Sequence, residues 1–122
     1  MVLENKANAL SDMGQYDKAI ELYTETLKTT KKPAYIIHDR GMAYSKKGQF
    51  SEAIQDLNKA IEMNPQEKDF IAQCYNDRGV TYFHMGEYQK SWQDVQTALK
   101  MGYNVHPGFL QALKSKGFSE SV

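Results

Sequence analysis

The residues best suited to metal binding or nucleophilic chemistry are three histidines (His38, His84 and His106) and one cysteine, Cys74. His38 and His84 fall at different heights on separate predicted helices, which places them well over ~10 Å apart. Cys74 has no histidine at helical spacing, and a solitary helix cysteine is more often a small packing residue. The chain also has no Gly-rich phosphate loop, H-E-x-x-H or G-x-S-x-G motif. We therefore expect no catalytic residue, no metal and no cofactor, so the chain is not predicted to be an enzyme.

Two Arg–Asp pairs share one spacing. Arg40 and Asp56 lie eight positions on either side of Gly48, and Arg78 and Asp94 repeat this spacing about the next turn glycine. If two antiparallel helices meet at each glycine, the opposite charges lie at the same height and can bond. We interpret the pairs as salt bridges within helical hairpins. The alternative, in which either arginine captures an acidic ligand, stays open.

Single glycines divide the chain into repeats. Gly14, Gly48 and Gly86 are 34 and 38 positions apart, and each is followed two residues later by an aromatic residue. After each turn the apolar residues recur at helical spacing, for example Ala53, Ile54, Leu57 and Ile61. Each glycine is predicted to end a helix with positive φ and to begin a tight turn. The pattern predicts three pairs of antiparallel helices.

Both helices of each pair carry small residues at fixed places. Gly41 and Gly79 lie three positions before Tyr44 and Tyr82 in the first helix, and a small-x-x-x-apolar spacing follows in the second. With the 34-residue period, this pattern resembles the tetratricopeptide repeat (TPR) family over residues 1 to about 102. The resemblance implies an all-α, right-handed helical-hairpin solenoid of six helices. Its expected repeats are about 1–33, 34–67 and 72–103, within one domain of residues 1–122.

Two further elements are predicted outside the regular period. Four added residues before the third repeat equal about one helical turn and predict a longer first helix starting just after Pro65. Pro107, the apolar residues of 109–113 and Gly117 predict a seventh helix at about 107–116. We expect this helix to cap the last repeat and the tail at 119–122 to be frayed.

The resemblance implies that the first helices line a concave groove that binds a peptide or protein segment. The candidate groove residues lie off the predicted core stripe. They are Asn8, Tyr35, His38, Asp39, Met42, Asn76, Asp77, Val80 and Phe83. The mixture of amides, carboxylates and apolar groups is typical of a peptide-binding surface.

The charge of this predicted groove indicates which class of ligand it can bind. Family members that bind the C-terminal carboxylates of chaperones use a clamp of lysine, asparagine and arginine. The matching positions here are Glu4, Asn8, Asp39, Gln73 and Asp77, of which only Asn8 fits. Two carboxylates repel by about 1 kcal/mol at ~4 Å in water. We expect no chaperone-tail clamp, and a partner with Lys or Arg near Asp39 and Asp77, unless these aspartates are merely solvated.

Composition narrows the remaining classes of partner. Fifteen basic and fifteen acidic residues leave no net charge, so neither nucleic acid nor an anionic membrane is an expected partner. The longest apolar run, residues 34–37, is far shorter than the roughly 20 residues that span a bilayer. No secretion signal is recognised, which favours a cytoplasmic protein, and a cut from a longer repeat array fits as well. Two alternatives stay open: a homo-oligomer formed through Leu3 and Leu10, and an RNA-binding helical-repeat protein, which Asp39 and Asp77 disfavour.

Overall fold

The computed structural model describes the backbone of residues 2–63 and 66–119, and the side chains of residues 5–63 and 66–119. Over these residues the chain forms α-helices and no strand. The helices are α1 (Val2–Asp12), α2 (Tyr16–Thr26), α3 (Pro33–Lys47), α4 (Phe50–Met63), α5 (Lys68–His84), α6 (Tyr88–Lys100) and α7 (Pro107–Ser115). Leu3, Glu4 and Pro65, which entered the predictions above, have side chains outside this description, as does the end of the tail from residue 120. None of the described helices is long and apolar enough to cross a membrane.

The chain divides into two compact units, residues 1–65 and 66–122. Unit 1 holds α1 to α4 and unit 2 holds α5 to α7. A groove lined by all three repeats, and a single domain of residues 1–122, stay predictions.

The predicted turn glycines have the backbone conformation that the sequence requires. Gly48 has a φ of 94°, and Gly14 and Gly86 have φ values of 82° and 80°. At the α3–α4 turn the Gly48 N–H donates to Ser45 O at 3.0 Å, and the Gln49 N–H donates to Tyr44 O at 2.9 Å. These bonds satisfy the last carbonyls of α3 while the positive φ reverses the chain, a conformation that glycine adopts without a Cβ penalty. The prediction of helix ends at these positions is confirmed.

Unit 1 is built from two stacked hairpins. Helix α1 packs on α2, α2 on α3 and α3 on α4, and α1 also contacts α3. The core joins small and large residues: Ala7, Ala19, Tyr23, Ile36 and Ala43 are buried together. Because alanine keeps side chains short where helices cross, the axes can approach closely. The first helices of the two repeats therefore lie side by side.

A substitution at Ala53 tests whether the helix axes of a hairpin approach closely. It is 0% exposed on α4, and a Cβ at Gly41 of α3 would lie 3.4 Å from the Ala53 carbonyl oxygen. We expect Ala53→Leu to lower the free energy of unfolding by about 1–3 kcal/mol, because the added isopropyl group overpacks the α3–α4 contact. Urea unfolding measures the change. Ser51→Leu, exposed on the same helix, is the matched control; equal effects of the two substitutions would contradict the prediction.

Unit 2 holds the third hairpin and the predicted cap. Helix α5 has 17 residues against 15 in α3, which confirms the longer first helix; it begins at Lys68. Helix α7 and the positive φ of Gly117 confirm the seventh helix and its stop. Leu113 of α7 is fully buried in one apolar cluster with Trp92 and Val95 of α6. Helix α7 therefore covers the apolar stripe of α6, as predicted.

Candidate functional site

Both predicted Arg–Asp pairs form in the structure. Arg40 Nε and Nη2 each donate to Asp56 at 2.9 Å. Arg78 Nε donates to Asp94 Oδ2 at 2.8 Å and Nη2 to Asp94 Oδ1 at 2.6 Å. The hydrogen bond to the carboxylate raises the pKa of each arginine above its usual value, and burial opposes this rise. Two parallel bonds to a buried aspartate hold each guanidinium in place. The pairs are therefore structural, and neither arginine has its fork directed at a ligand.

The candidate residues of unit 1 lie on the adjacent helices α1 and α3. Asn8 of α1 and Tyr35, Asp39 and Met42 of α3 are half-buried. The Tyr23 hydroxyl donates to Asn8 Oδ1. This bond fixes the orientation of the Asn8 amide and leaves its two N–H groups as donors for another acceptor. This part of the site combines an amide donor, a carboxylate and two apolar surfaces.

His38 differs from its prediction as an open groove residue. It is only 6% exposed, and its Nδ1 lies 3.1 Å from Asp39 Oδ1. The sequence pattern assigned one buried stripe to α3, but α3 packs against both α2 and α4, so a wider part of its circumference is covered. His38 therefore orients the Asp39 carboxylate from beneath the surface.

The candidate residues of unit 2 repeat this arrangement on α5. Asn76, Asp77 and Val80 are half-buried. Asn76 Nδ2 donates to Asp77 Oδ1 at 3.3 Å, so the residue before the aspartate again donates to its carboxylate. The phenol of Tyr103 lies in the same region: burial, and then the charge of Asp77, raise the pKa of Tyr103. Sequence reasoning missed Tyr103, because it follows the last repeat and has no counterpart in the other two.

Phe83 is the second candidate groove residue whose surroundings differ from the prediction. Its ring lies 5.1 Å from that of Tyr88 and 5.7 Å, edge to face, from that of Phe109 on α7. It is half-buried and packs against the apolar cluster that α7 completes, so part of its ring supports the hairpin, and its role in binding stays a prediction. The repeat pattern could not show this, since Phe109 lies in the capping helix beyond the repeats.

No cluster of three or more His, Cys, Asp and Glu side chains that could hold a metal ion occurs in the described part of the chain. Cys74 is fully buried, as expected of a packing residue. The polar residues that remain at the half-buried surface are suited to hydrogen bonds and ion pairs with another molecule.

Models of the tetratricopeptide repeat match residues 2–34 and 34–67, which together make up just over half of the chain. The chain belongs to the tetratricopeptide repeat family. The first TPR of Spaghetti (RPAP3) bound to the HSP90 peptide SRMEEVD has a TM-score of 0.80 at 24% identity, covering 97% of this chain and 92% of that one. The second TPR of that protein, bound to the same peptide, has a TM-score of 0.70 at 26% identity, covering 82% and 89%. These likenesses confirm the predicted all-α TPR fold.

Curated relatives are longer proteins. The "Protein SGT1 homolog" of Oryza sativa subsp. japonica is 40% identical over 63 residues, which are 52% of this chain and 17% of that protein. The chain thus spans well under two thirds of the relatives it matches. Family membership confirms protein–protein interaction as the general function. The expectation that a chaperone tail is excluded conflicts with the ligand named for both solved TPR structures.

Proposed function

We propose that this chain binds segments of another protein on the exposed faces of its first helices, and that Lys or Arg side chains pair with Asp39 in unit 1 and, at a separate site, with Asp77 in unit 2. The single observation that carries the proposal is the repeated carboxylate: each aspartate is half-buried on a first helix and receives a hydrogen bond from the preceding residue. A carboxylate held in one orientation loses little entropy when it pairs with a cation. The binding needs no catalysis, and a cytoplasmic location is part of the proposal.

The surroundings of the two carboxylates support a ligand that is both basic and apolar. Tyr35 and Met42 accompany Asp39 on α3, and Val80 accompanies Asp77 on α5. Lys and Arg carry long methylene stems that pack along such apolar groups while the charged end reaches a carboxylate. Asn8 adds an amide donor that can bond a peptide carbonyl.

The charge preference is testable with peptides of matched length. A series of peptides as long as SRMEEVD, graded in net charge from acidic to basic, is titrated against the whole chain by isothermal calorimetry. We expect affinity to rise with positive charge and to fall with salt, because half-exposed ion pairs are screened. Asp39→Asn and Asp77→Asn should each weaken the basic peptides about fivefold, which corresponds to about 1 kcal/mol.

Glu52→Gln is the matched control, since Glu52 is exposed on α4 and lies outside the proposed faces. Its peptide affinities should equal those of the wild type. The proposal is overturned if the wild type binds SRMEEVD tightly or binds acidic peptides at least as well as basic ones. It is also overturned if all three substitutions change the affinity for basic peptides equally. A pull-down with the wild type beside an Asp39→Lys/Asp77→Lys variant then identifies partners that depend on these carboxylates.

A further inference from the structure

A cavity of about 220 Å³ lies within unit 2, between α6, α7 and the segment that follows α7. Its lining is mostly apolar. The lining residues are Trp92, Pro107, Leu110, Gln111, Lys114, Phe118 and Ser119. The rings of Trp92 and Phe118 are 6.5 Å apart, so aromatic surfaces line part of the cavity, while Lys114 supplies a charged group beside them. None of the residues proposed above to bind a partner segment lines the cavity.

Size and charge indicate what this cavity accepts. Pockets for small-molecule ligands usually measure about 300–1,000 Å³, so 220 Å³ suits one amino-acid side chain better than a cofactor. Among the residues that the structure describes, Lys114 is the one charged residue of the lining, and no acidic residue lines the cavity. The charge at the cavity is therefore positive. The group complementary to this cavity is a flexible apolar side chain with a carboxylate beside it.

The chain itself carries such a group in unit 1. Met13 is 68% exposed at the turn between α1 and α2, whereas the other exposed methionines of the described residues, Met63 and Met85, are 39% and 38% exposed. Asp12, directly before it, is also exposed. Methionine is unbranched and polarizable, so it adapts to an irregular aromatic cavity. The exposed pair Asp12–Met13 thus has the apolar end and the negative charge that the cavity requires.

We propose that the α1–α2 turn of one copy of this chain docks into the unit 2 cavity of a second copy, with Met13 between Trp92 and Leu110 and with Asp12 facing Lys114. The two surfaces differ, so the contact is heterologous and each copy has one turn and one cavity to offer. One side chain and its neighbours bury less than the about 1,200 Å² of a stable complex. The association is therefore weak, and successive copies join head to tail as concentration rises. This inference does not rest on the proposed function.

Sedimentation velocity over a range of concentrations tests the contact. The wild type should show a weight-average mass that grows with concentration. Met13→Ser should weaken the association about tenfold or more, because a buried methionine side chain is lost. Lys114→Glu should weaken it about threefold to tenfold, because an attraction becomes a repulsion. Met85→Ser is the matched control and should leave the association unchanged.

Mixing variants distinguishes this contact from general aggregation. Lys114→Glu keeps an intact turn and Met13→Ser keeps an intact cavity, so their mixture should form a one-to-one complex that grows no further. The double variant Asp12→Lys/Lys114→Glu should recover the self-association that either charge reversal removes. The proposal is overturned if the wild type stays monomeric, if Met85→Ser acts like Met13→Ser, or if an unrelated acidic peptide occupies the cavity while copies of the chain do not.

Discussion

Truncating Leu113 to alanine is expected to lower the free energy of unfolding by about 2–5 kcal/mol. Leu113 is 0% exposed, and it is the fully buried residue of α7 in the apolar cluster around Trp92 and Val95. Removing its side chain leaves a cavity at the only point where α7 is fully buried. Urea unfolding measures the loss, and Trp92, the sole tryptophan, reports it by fluorescence. Gln111→Ala, exposed on the same helix, is the control and should change stability by less than about 0.5 kcal/mol.

Removing the whole cap should have a larger effect than removing one side chain. Deletion of residues 105–122 takes away Val105, Phe109 and Leu113, and it uncovers Trp92 and Val95 of α6. A newly exposed apolar patch promotes association, so the shortened chain should aggregate at concentrations at which the full chain does not. A shortened chain that remains soluble and unfolds at the same urea concentration would show that α7 is not a cap.

The features that the sequence predicts correctly are those that the repeat itself specifies. Gly14, Gly48 and Gly86 each need positive φ, and no other residue type meets this need as easily, so glycines at spacings of 34 and 38 residues identify three turns. The Arg–Asp pairs follow from the same geometry. Residues equidistant from a turn lie at equal heights on the two helices of a hairpin. The contact between Arg40 and Asp56 can therefore be predicted from their spacing alone.

The features that the sequence does not predict depend on contacts beyond the two helices of one hairpin. His38 becomes buried because α3 is packed from two sides, and Phe83 is half-buried because Phe109 contacts it from α7. The charge of Asp77 raises the pKa of Tyr103, which lies in the turn that follows α6, at a place with no counterpart in the earlier repeats. Periodicity identifies the face of a helix toward its hairpin partner. It carries no information on which remaining faces a later segment covers.

Breaking a buried Arg–Asp pair is expected to cause a second large loss of folding stability. We expect Arg78→Met to destabilise the chain by roughly 2–4 kcal/mol, because it leaves the Asp94 carboxylate without its cation in a site where the residue is only 5% exposed. A charge in such a site is costly unless it is paired, and the guanidinium bonds both of its oxygens. Thermal and urea unfolding of the variant give the change in free energy.

Two companion variants separate the charge effect from lost packing. Lys47→Met breaks the ion pair between Lys47 and Asp17, whose side chains are 37% and 76% exposed, and should cost less than about 1 kcal/mol. Arg78→Met/Asp94→Leu removes both charges and should recover most of the loss, since an apolar pair of similar volume needs no counter-charge. If Arg78→Met costs no more than Lys47→Met, the buried pair is not what holds α5 against α6. If the double variant is less stable than the single one, packing by the Asp94 side chain, and not its unpaired charge, accounts for the effect.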